Sequence, residues 1–182
     1  MLDDAFGNWL AGFTAGEGTF SFLIRKIQGA KYKFHPRFSI SLRNDDAPIL
    51  FQVAETLGCG YVRTDQDRAR KKTPMAVYLC DDIGSLYNII VPLFEHYPLR
   101  AKKARDFAIW KEAITLMFQI TRRPKINTRW GWFPRYTKEE KAQLSHYTQL
   151  LKNVRAYQAE EPNLPTHLQE PQLVLTEPWE GR

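Results

Sequence analysis

One acidic residue near the start of the chain lies where a carboxylate is expected to have a chemical task. Glu17 stands between Gly16 and Gly18, at the point where a predicted helix must stop. A carboxylate at a helix C-terminus faces the negative end of the helix dipole, so its presence there favours a role as a ligand for a cation. The free carbonyl groups of the last turn would supply further oxygen ligands. The competing interpretation is a solvated loop glutamate.

A helix is expected to position this carboxylate, because the residues before Glu17 repeat with helical spacing. Asp3 and Asp4 are suitable N-caps. Gly12 and Gly16 lie four residues apart on one stripe of the helix, where the absence of side chains lets a second backbone approach closely. The apolar residues with the spacing of one helical face are Phe6, Trp9, Leu10 and Phe13.

Two strands follow the helix and predict a hairpin with two unlike faces. Residues 19–27 and 34–42 are rich in strand formers, and residues 28–31 predict the turn between them. Alternate positions form one apolar face and one face of arginines, lysines and serines without a carboxylate. We expect the apolar face to pack on helices and the polar face to be open to a ligand. Solvation alone is the alternative explanation of the polar face.

The rest of the chain predicts an α+β fold. A helix with a capping Asp and Pro48 in its first turn ends at Gly58, and its expected buried stripe includes Ile49. Strands are predicted over 60–63 and 75–80, a helix from Asp81 or Asp82 to residue 96, and a helix over 99–120. The order is therefore αββαββα. A capping box at 137–140 predicts an extra C-terminal helix to about residue 158.

The predicted organisation is a core at 1–120, a basic loop and C-terminal helix at 121–158, and a tail rich in Pro and Glu at 159–182. Residues 122–136 are assigned no element, and the tail is apolar enough in places to dock on the body. Residues 21–43 and 121–138 are basic and contain no acid, in a chain with a net charge of +6. Acid-free basic segments interleaved with aromatic residues are typical of nucleic-acid binders.

The cysteines and the hydropathy of the chain indicate the cellular compartment. Cys59 and Cys80 lack metal-ligand spacing and predict two buried, reduced thiols. We recognise no signal peptide and no long apolar run, so an intracellular protein without a membrane span is expected, with organelle and bacterial cytoplasm equally compatible.

Residues 10–18, Leu-Ala-Gly-Phe-Thr-Ala-Gly-Glu-Gly, resemble the signature of the LAGLIDADG homing endonucleases. The string departs from the family at Ala15, where an acidic residue is usual. Residues 98–110 resemble a second family segment, Pro-Leu-x-x-x-Lys-x-x-x-Phe, in which a basic residue lies near the scissile phosphates. Lys103 fits this spacing best, with Lys102 and Arg100 as alternates. The matching positions of the signature are Leu10, Ala11, Gly12, Gly16, Glu17 and Gly18.

The resemblance implies the same αββαββα saddle and a site-specific endonuclease that makes a staggered double-strand break in a long, roughly palindromic DNA target. Because the chain carries one motif, it implies a homodimer. The two Glu17 carboxylates and the carbonyl of Gly16 would hold Mg²⁺ or another divalent cation, and Lys103 or Lys102 would neutralise charge at the phosphate. The residues expected at the dimer interface are Trp9, Gly12, Phe13 and Gly16.

The outer sheet face is expected to lie along the major groove of DNA. Arginines there would reach guanine edges, Leu23 and Ile27 would contact thymine methyl groups, and lysines would contact the backbone. Leu42 stands near a position where the family often has a polar residue that orients water, and Arg43 or Asn44 is the expected substitute. The residues expected to contact DNA are Ser21, Leu23, Arg25, Ile27, Lys31, Lys33, Arg37, Ser39, Ser41, Arg43, Arg63, Asp65, Arg68, Arg70, Lys71 and Lys72.

Two alternatives share the fold without cleavage. One is an intron maturase that binds RNA and assists splicing, and the other is a DNA-binding regulator. Ala15 and Leu42 favour these alternatives, whereas an intact Glu17 between two glycines favours the nuclease.

Overall fold

A computed structural model of the chain describes residues 2–27, 31–64, 74–124, 126–128, 131–133 and 136–156. For residues 25–27, 31–33, 126–128 and 131–133 it describes the backbone alone. The predicted turn at residues 28–31 falls largely outside this part of the chain, and residues 65–72 and the tail at 159–182 fall wholly outside it.

The first helix and strand join without a loop. Helix α1 spans Asp4–Glu17, and the carboxylate of Asp3 accepts a hydrogen bond from the amide of Phe6, as the capping pattern predicts. Strand β1 begins at the next residue and spans Gly18–Ile27. Gly16 and Glu17 are both helical, so the helix continues past the first glycine of the motif and Gly18 is its C-cap.

Four antiparallel strands form the main sheet, in the order β1-β2-β4-β3. Strand β2 spans Lys31–Arg43, β3 spans Tyr61–Thr64 and β4 spans Met75–Cys80. The alternation of the sequence is reproduced, because Phe20, Phe38 and Ile40 are fully buried while their sequence neighbours on the strands are at least partly exposed. The predicted two-faced hairpin is confirmed.

Helices cover the inner face of the sheet. A 3-10 turn at Asn44–Asp46 leads into α2 at Ala47–Leu57, which ends at Gly58 in the left-handed conformation, with a φ of +63°. After β4, helix α3 (Ile83–Ser85), a π-helical turn (Leu86–Ile90) and α4 (Val91–His96) follow one another directly. Helix α5 spans Ala101–Thr121 and packs against β1, where the indole N–H of Trp110 donates to the carbonyl of Ser21 at 3.2 Å.

Two details of the second helix were predicted wrongly. Asp46 is the N-cap of α2, but neither it nor Asp45 caps the helix through its side chain, because Asp45 accepts hydrogen bonds from Arg43 instead. Ile49 is 37% exposed rather than part of the buried stripe, since the helix turns Leu50 and Val53 towards the core.

The segment after α5 extends the same core. Strands β5 (Ile126–Thr128) and β6 (Gly131–Phe133) pair as a small hairpin in the region that the sequence left unassigned. Helix α6 spans Lys138–Arg155 and begins with the predicted capping box of Thr137 and Glu140. Leu144 and Leu151 are buried against α5, so α6 shares the hydrophobic core of the α+β fold.

The two cysteines are buried free thiols in the core, and the sulfur of Cys59 lies 3.7 Å from the Tyr78 hydroxyl. The Tyr78 hydroxyl donates to the carbonyl of Cys59 at 3.0 Å. A hydrogen bond from the Cys80 thiol lowers the pKa of Cys59 to about 7, whereas burial raises the pKa of Tyr78. Within the described residues, no helix is both long and apolar enough to cross a membrane.

Candidate active site and sheet surface

Glu17 is the last residue of α1, and its side chain is exposed. Gly18 is held against the helix it follows, because its amide donates to the carbonyl of Thr14. A Cβ at Gly18 would lie 2.5 Å from Thr14 Cγ2 and 2.7 Å from Thr14 O. The glycine after Glu17 is therefore needed for close approach, and not for its backbone angles, which are extended.

Lys103 reaches the same junction from α5. Its ammonium donates to the carbonyl of Gly18, the residue directly after Glu17. Lys103 stands in the first turn of α5, where the helix dipole disfavours a cation, and the Gly18 carbonyl partly offsets that cost. Lys102 and Arg100 are exposed at the same helix end. Of the predicted catalytic residues, Lys103 therefore contacts the backbone of the residue that follows Glu17.

A cavity of about 280 Å³ opens beside this junction. Its lining includes Lys102 and Lys103 from α5 and Arg155 from the end of α6. Arg155 donates to the carboxylate of Asp106 at 2.9 Å and to the carbonyl of Phe20. Sequence reasoning identified neither Arg155 nor Asp106. The sequence shows only that Asp106 is the one acidic residue in the basic segment at 98–110. That observation does not indicate a partner 49 residues away.

The outer face of the sheet carries most of the predicted DNA-contacting residues that the structure describes. Leu23 is 46% exposed on β1, and Arg63 is exposed on β3. Cross-strand pairing aligns Ser21 with Arg37 and Ser41 with Val77. The same face includes Thr19, His35 and Tyr61, which the prediction did not name, and Met75 and Val77 of β4. Leu79 of β4 is also on this face but is only 2% exposed.

Two arginines on this surface are ion-paired in the free chain. Arg37 contacts Asp81 at 3.4 Å, with side chains 32% and 41% exposed, and the hydroxyl of Ser21 lies 3.5 Å from the carbonyl of Arg37. Arg43 pairs with Asp45 at the end of β2. Such exposed pairs contribute about 1 kcal/mol or less to stability, so they orient the guanidinium groups more than they stabilise the fold.

The structure describes the remaining predicted DNA contacts to different extents. Ser39 is half-buried on β2. Arg25, Ile27, Lys31 and Lys33 lie on β1 and β2 where the structure describes the backbone alone. Those that lie outside the described residues are Asp65, Arg68, Arg70, Lys71 and Lys72.

One stripe of α1 faces away from the core. Gly12 and Gly16 are exposed, and a Cβ built at either position would meet no described atom within 4 Å outside the adjacent residues and the backbone of its own helix. Trp9 is 40% exposed and stacks on Phe13, with ring centroids 5.0 Å apart and an angle of 16° between the rings. On the opposite stripe Leu10 is fully buried. The predicted interface residues therefore form one exposed, partly aromatic surface with room for a second backbone.

The donor chemistry at the junction suits a hard divalent cation, because a carboxylate and backbone carbonyls are oxygen ligands. Among the described residues no group of three or more His, Cys, Asp or Glu comes together.

The sequence model described as LAGLIDADG endonuclease matches residues 10–114. The chain is 31% identical over 117 residues to the Probable intron-encoded endonuclease 2 of Neurospora crassa. The alignment covers 62% of this chain and 24% of that protein. It is 29% identical over 113 residues to the Probable intron-encoded endonuclease Cox1-I1b of Schizosaccharomyces pombe, covering 62% of this chain and 28% of that protein. The chain thus spans about a quarter of the length of these curated relatives.

Two solved structures share the fold. The LAGLIDADG homing endonuclease I-SmaMI bound to cleaved DNA superposes with a TM-score of 0.66 at 20% identity, over 82% of this chain and 44% of that one. The homing endonuclease I-TnaI superposes with a TM-score of 0.62 at 22% identity, over 82% of this chain and 97% of that one. The family match covers more than half of the chain and includes the Gly-Glu-Gly junction and Lys103, so the chain belongs to the LAGLIDADG endonuclease family.

Proposed function

We propose that this chain is a site-specific, intron-encoded DNA endonuclease that works as a homodimer with Mg²⁺. It makes a staggered double-strand break in a long, roughly palindromic target. The observation that carries the proposal is the junction of α1 and β1, where the carboxylate of Glu17 is followed by the residue whose carbonyl binds the Lys103 ammonium.

Each protein group at this junction has a distinct task. Glu17 and the carbonyl of Gly16 would hold the cation together with the same groups of the second copy. A divalent cation held there would supply activation of a water molecule and stabilisation of the leaving oxygen. Lys103 supplies positive charge to the phosphate in the transition state, from a position fixed by its bond to Gly18. The related enzyme I-SmaMI has been solved with its DNA target in the presence of calcium ions, which supports a divalent-cation site in this fold.

The sheet reads the target from the major groove. The four-stranded outer face offers arginine, serine and apolar side chains on β1, β2 and β3, and this mixture suits base edges and thymine methyl groups. The chain has a net charge of +6, which favours the phosphate backbone and predicts binding that weakens as salt rises.

Pairing through α1 completes the site. The exposed stripe of Trp9, Gly12, Phe13 and Gly16 ends at Glu17, so two such stripes packed around a two-fold axis bring the two carboxylates together. Each carboxylate then serves one DNA strand. I-SmaMI, of which this chain matches 44%, supports the need for a second unit of the same fold.

The proposal is tested by selecting a target from a randomised duplex library and measuring cleavage by wild type and by Glu17→Gln. We expect Glu17→Gln to retain binding within about threefold and to lose cleavage by about 100-fold or more, because an amide is a poor ligand for Mg²⁺. Glu55→Gln, which changes an exposed glutamate of α2, serves as the matched control and should cleave like wild type. Equal binding without cleavage by wild type and Glu17→Gln in Mg²⁺ would refute the catalytic proposal.

A non-cleaving nucleic-acid-binding role is the second candidate, as an intron maturase that binds RNA or as a DNA-binding regulator. It is favoured by Leu42, which is partly buried against the core at a position where a water-orienting polar group would be useful. Tight binding of the host intron RNA, with faster splicing and no DNA cleavage, would favour this candidate. Splicing unaffected by the protein would exclude the maturase form.

A further inference from the structure

Two cationic side chains bind alternate carbonyl groups of strand β1. Lys103 donates to the carbonyl of Gly18, and Arg155 donates to the carbonyl of Phe20. These residues are two apart on an extended strand, so their carbonyl groups point to the same side. Among the described strands β1 lies at an edge of the sheet, so that side needs donors other than a neighbouring strand. The lysine of the proposed active site and Arg155 are therefore consecutive members of one row.

Arg155 also forms a hydrogen bond to α5, the helix that carries Lys103. Its Nε donates to Asp106 Oδ2 at 2.9 Å, and the Asp106 side chain is only 9% exposed. Asp106 stands three residues after Lys103, so the two side chains share one face of α5. A single guanidinium thus joins the strand that follows Glu17 to the helix face that holds Lys103.

The shape of this contact requires arginine. A guanidinium presents N–H groups in a planar, rigid fork, and here two branches of the fork serve two different elements. The ammonium of a lysine is a compact point charge and would not hold both acceptors in the same geometry. Arg155 is also the last residue of α6, so the contact fixes the end of this helix to the junction.

We propose that Arg155 is a positioning residue for cleavage, which sets the separation between the Glu17 carboxylate and the Lys103 ammonium. This inference rests on the proposed endonuclease function. Arg155 lies outside residues 10–114 that match the family, so the working site of this chain extends into a helix beyond the family segment. A misplacement of catalytic groups by about 1 Å costs about 100-fold in rate, so a residue that touches no phosphate can still control the reaction.

The test compares Arg155→Gln and Arg155→Lys with a matched control, Lys152→Gln. Lys152 is an exposed cation of the last turn of the same helix. In single-turnover cleavage at saturating protein, we expect Arg155→Gln to lower the rate constant by about 10- to 100-fold while the DNA dissociation constant stays within about threefold. Arg155→Lys should recover little of the rate, and Lys152→Gln should behave like wild type.

A second measurement does not depend on cleavage. Hydrogen exchange of backbone amides without DNA should be faster in residues 18–22 and 101–106 of Arg155→Gln, and unchanged in those segments of Lys152→Gln. Faster exchange confined to α6 would overturn the inference even if the chain proves not to cut DNA. In that case the absence of cleavage by wild type would count separately against the endonuclease.

Two further cleavage outcomes would overturn the inference. A weaker dissociation constant with an unchanged rate at saturation would make Arg155 a phosphate contact. A rate loss that matches the loss of folded protein, measured by circular dichroism at the assay temperature, would make it a simple structural anchor. Non-additive losses in Asp106→Asn combined with Arg155→Gln would support the unit of two residues.

Discussion

Gly12→Ala should change the stability of the single chain and the association of two chains in opposite directions. Gly12 lies inside α1, and a Cβ built there would meet no described atom within 4 Å outside the adjacent residues and the backbone of the helix itself. Alanine in a helix interior is more stable than glycine by about 0.5–1 kcal/mol, so the isolated chain should become more stable by that amount. For a chain of this size each kcal/mol shifts the melting temperature by about 2–4 °C, so we expect a rise of about 1–4 °C.

The same substitution should weaken the association of two chains. If two α1 helices approach through Gly12, each interface gains two methyl groups where the backbones are closest. Overpacking of this kind costs about 1–3 kcal/mol, which corresponds to a dimer dissociation constant raised by about 5- to 150-fold. Sedimentation equilibrium over a range of protein concentrations measures the association, and urea unfolding at the lowest concentration measures the chain alone.

Gly7→Ala provides the matched control on the same helix. A Cβ at Gly7 would lie 2.3 Å from the ring of Tyr97, so this substitution should destabilise the chain itself. The reasoning is refuted if Gly12→Ala raises or preserves dimer affinity, since the exposed stripe would then not be the pairing surface. A lower stability of the Gly12→Ala monomer would show that the position is occupied within the chain.

Three further changes test single contacts. Gly18→Ala places a Cβ against Thr14 and should lower the free energy of unfolding by about 1–3 kcal/mol in a urea titration. Asp81→Asn releases the exposed Arg37 and should change stability by less than about 0.5 kcal/mol, while affinities for single-base target variants should differ less than in wild type. Burial raises the pKa of Tyr78 above its usual 10, so the phenol ionises at a lower pH in the unfolded chain than in the folded one. The free energy of unfolding should therefore fall as the pH rises above 10. In Tyr78→Phe the urea midpoint should depend less on pH between pH 9 and 11 than it does in wild type.

Much of the fold follows from local patterns, because the main elements alternate or repeat with a clear period. Phe20 and Phe38 are buried on the face that alternation predicted, and β4 spans the predicted Met75–Cys80. The capping box at Thr137 is also observed. In each case the sequence signal lies within a few residues of the position it predicts, which is the condition under which sequence reasoning succeeds.

The parts that sequence reasoning missed depend on pairs distant in the chain. Arg37 meets Asp81 only because β2 pairs with β4 in one register. Arg155 meets Asp106 because α6 packs on α5, and neither residue carries a mark of this in its own neighbourhood. The exposure of Ile49 has a similar origin, since the packing of α2 decides which part of its apolar stripe is buried.

The absence of a loop between α1 and β1 gives the proposed mechanism its geometry. Glu17 ends the helix and Gly18 begins the strand, so one peptide bond separates the acid from the surface proposed to read DNA. Gly18 is in turn fixed by the backbone of Thr14 on one side and by Lys103 on the other. The backbone of Glu17 and the start of the sheet are therefore held together. Base contacts that set the register of the sheet on DNA would then also determine which phosphate lies at Glu17, so recognition and the position of the cut would be set by the same rigid junction.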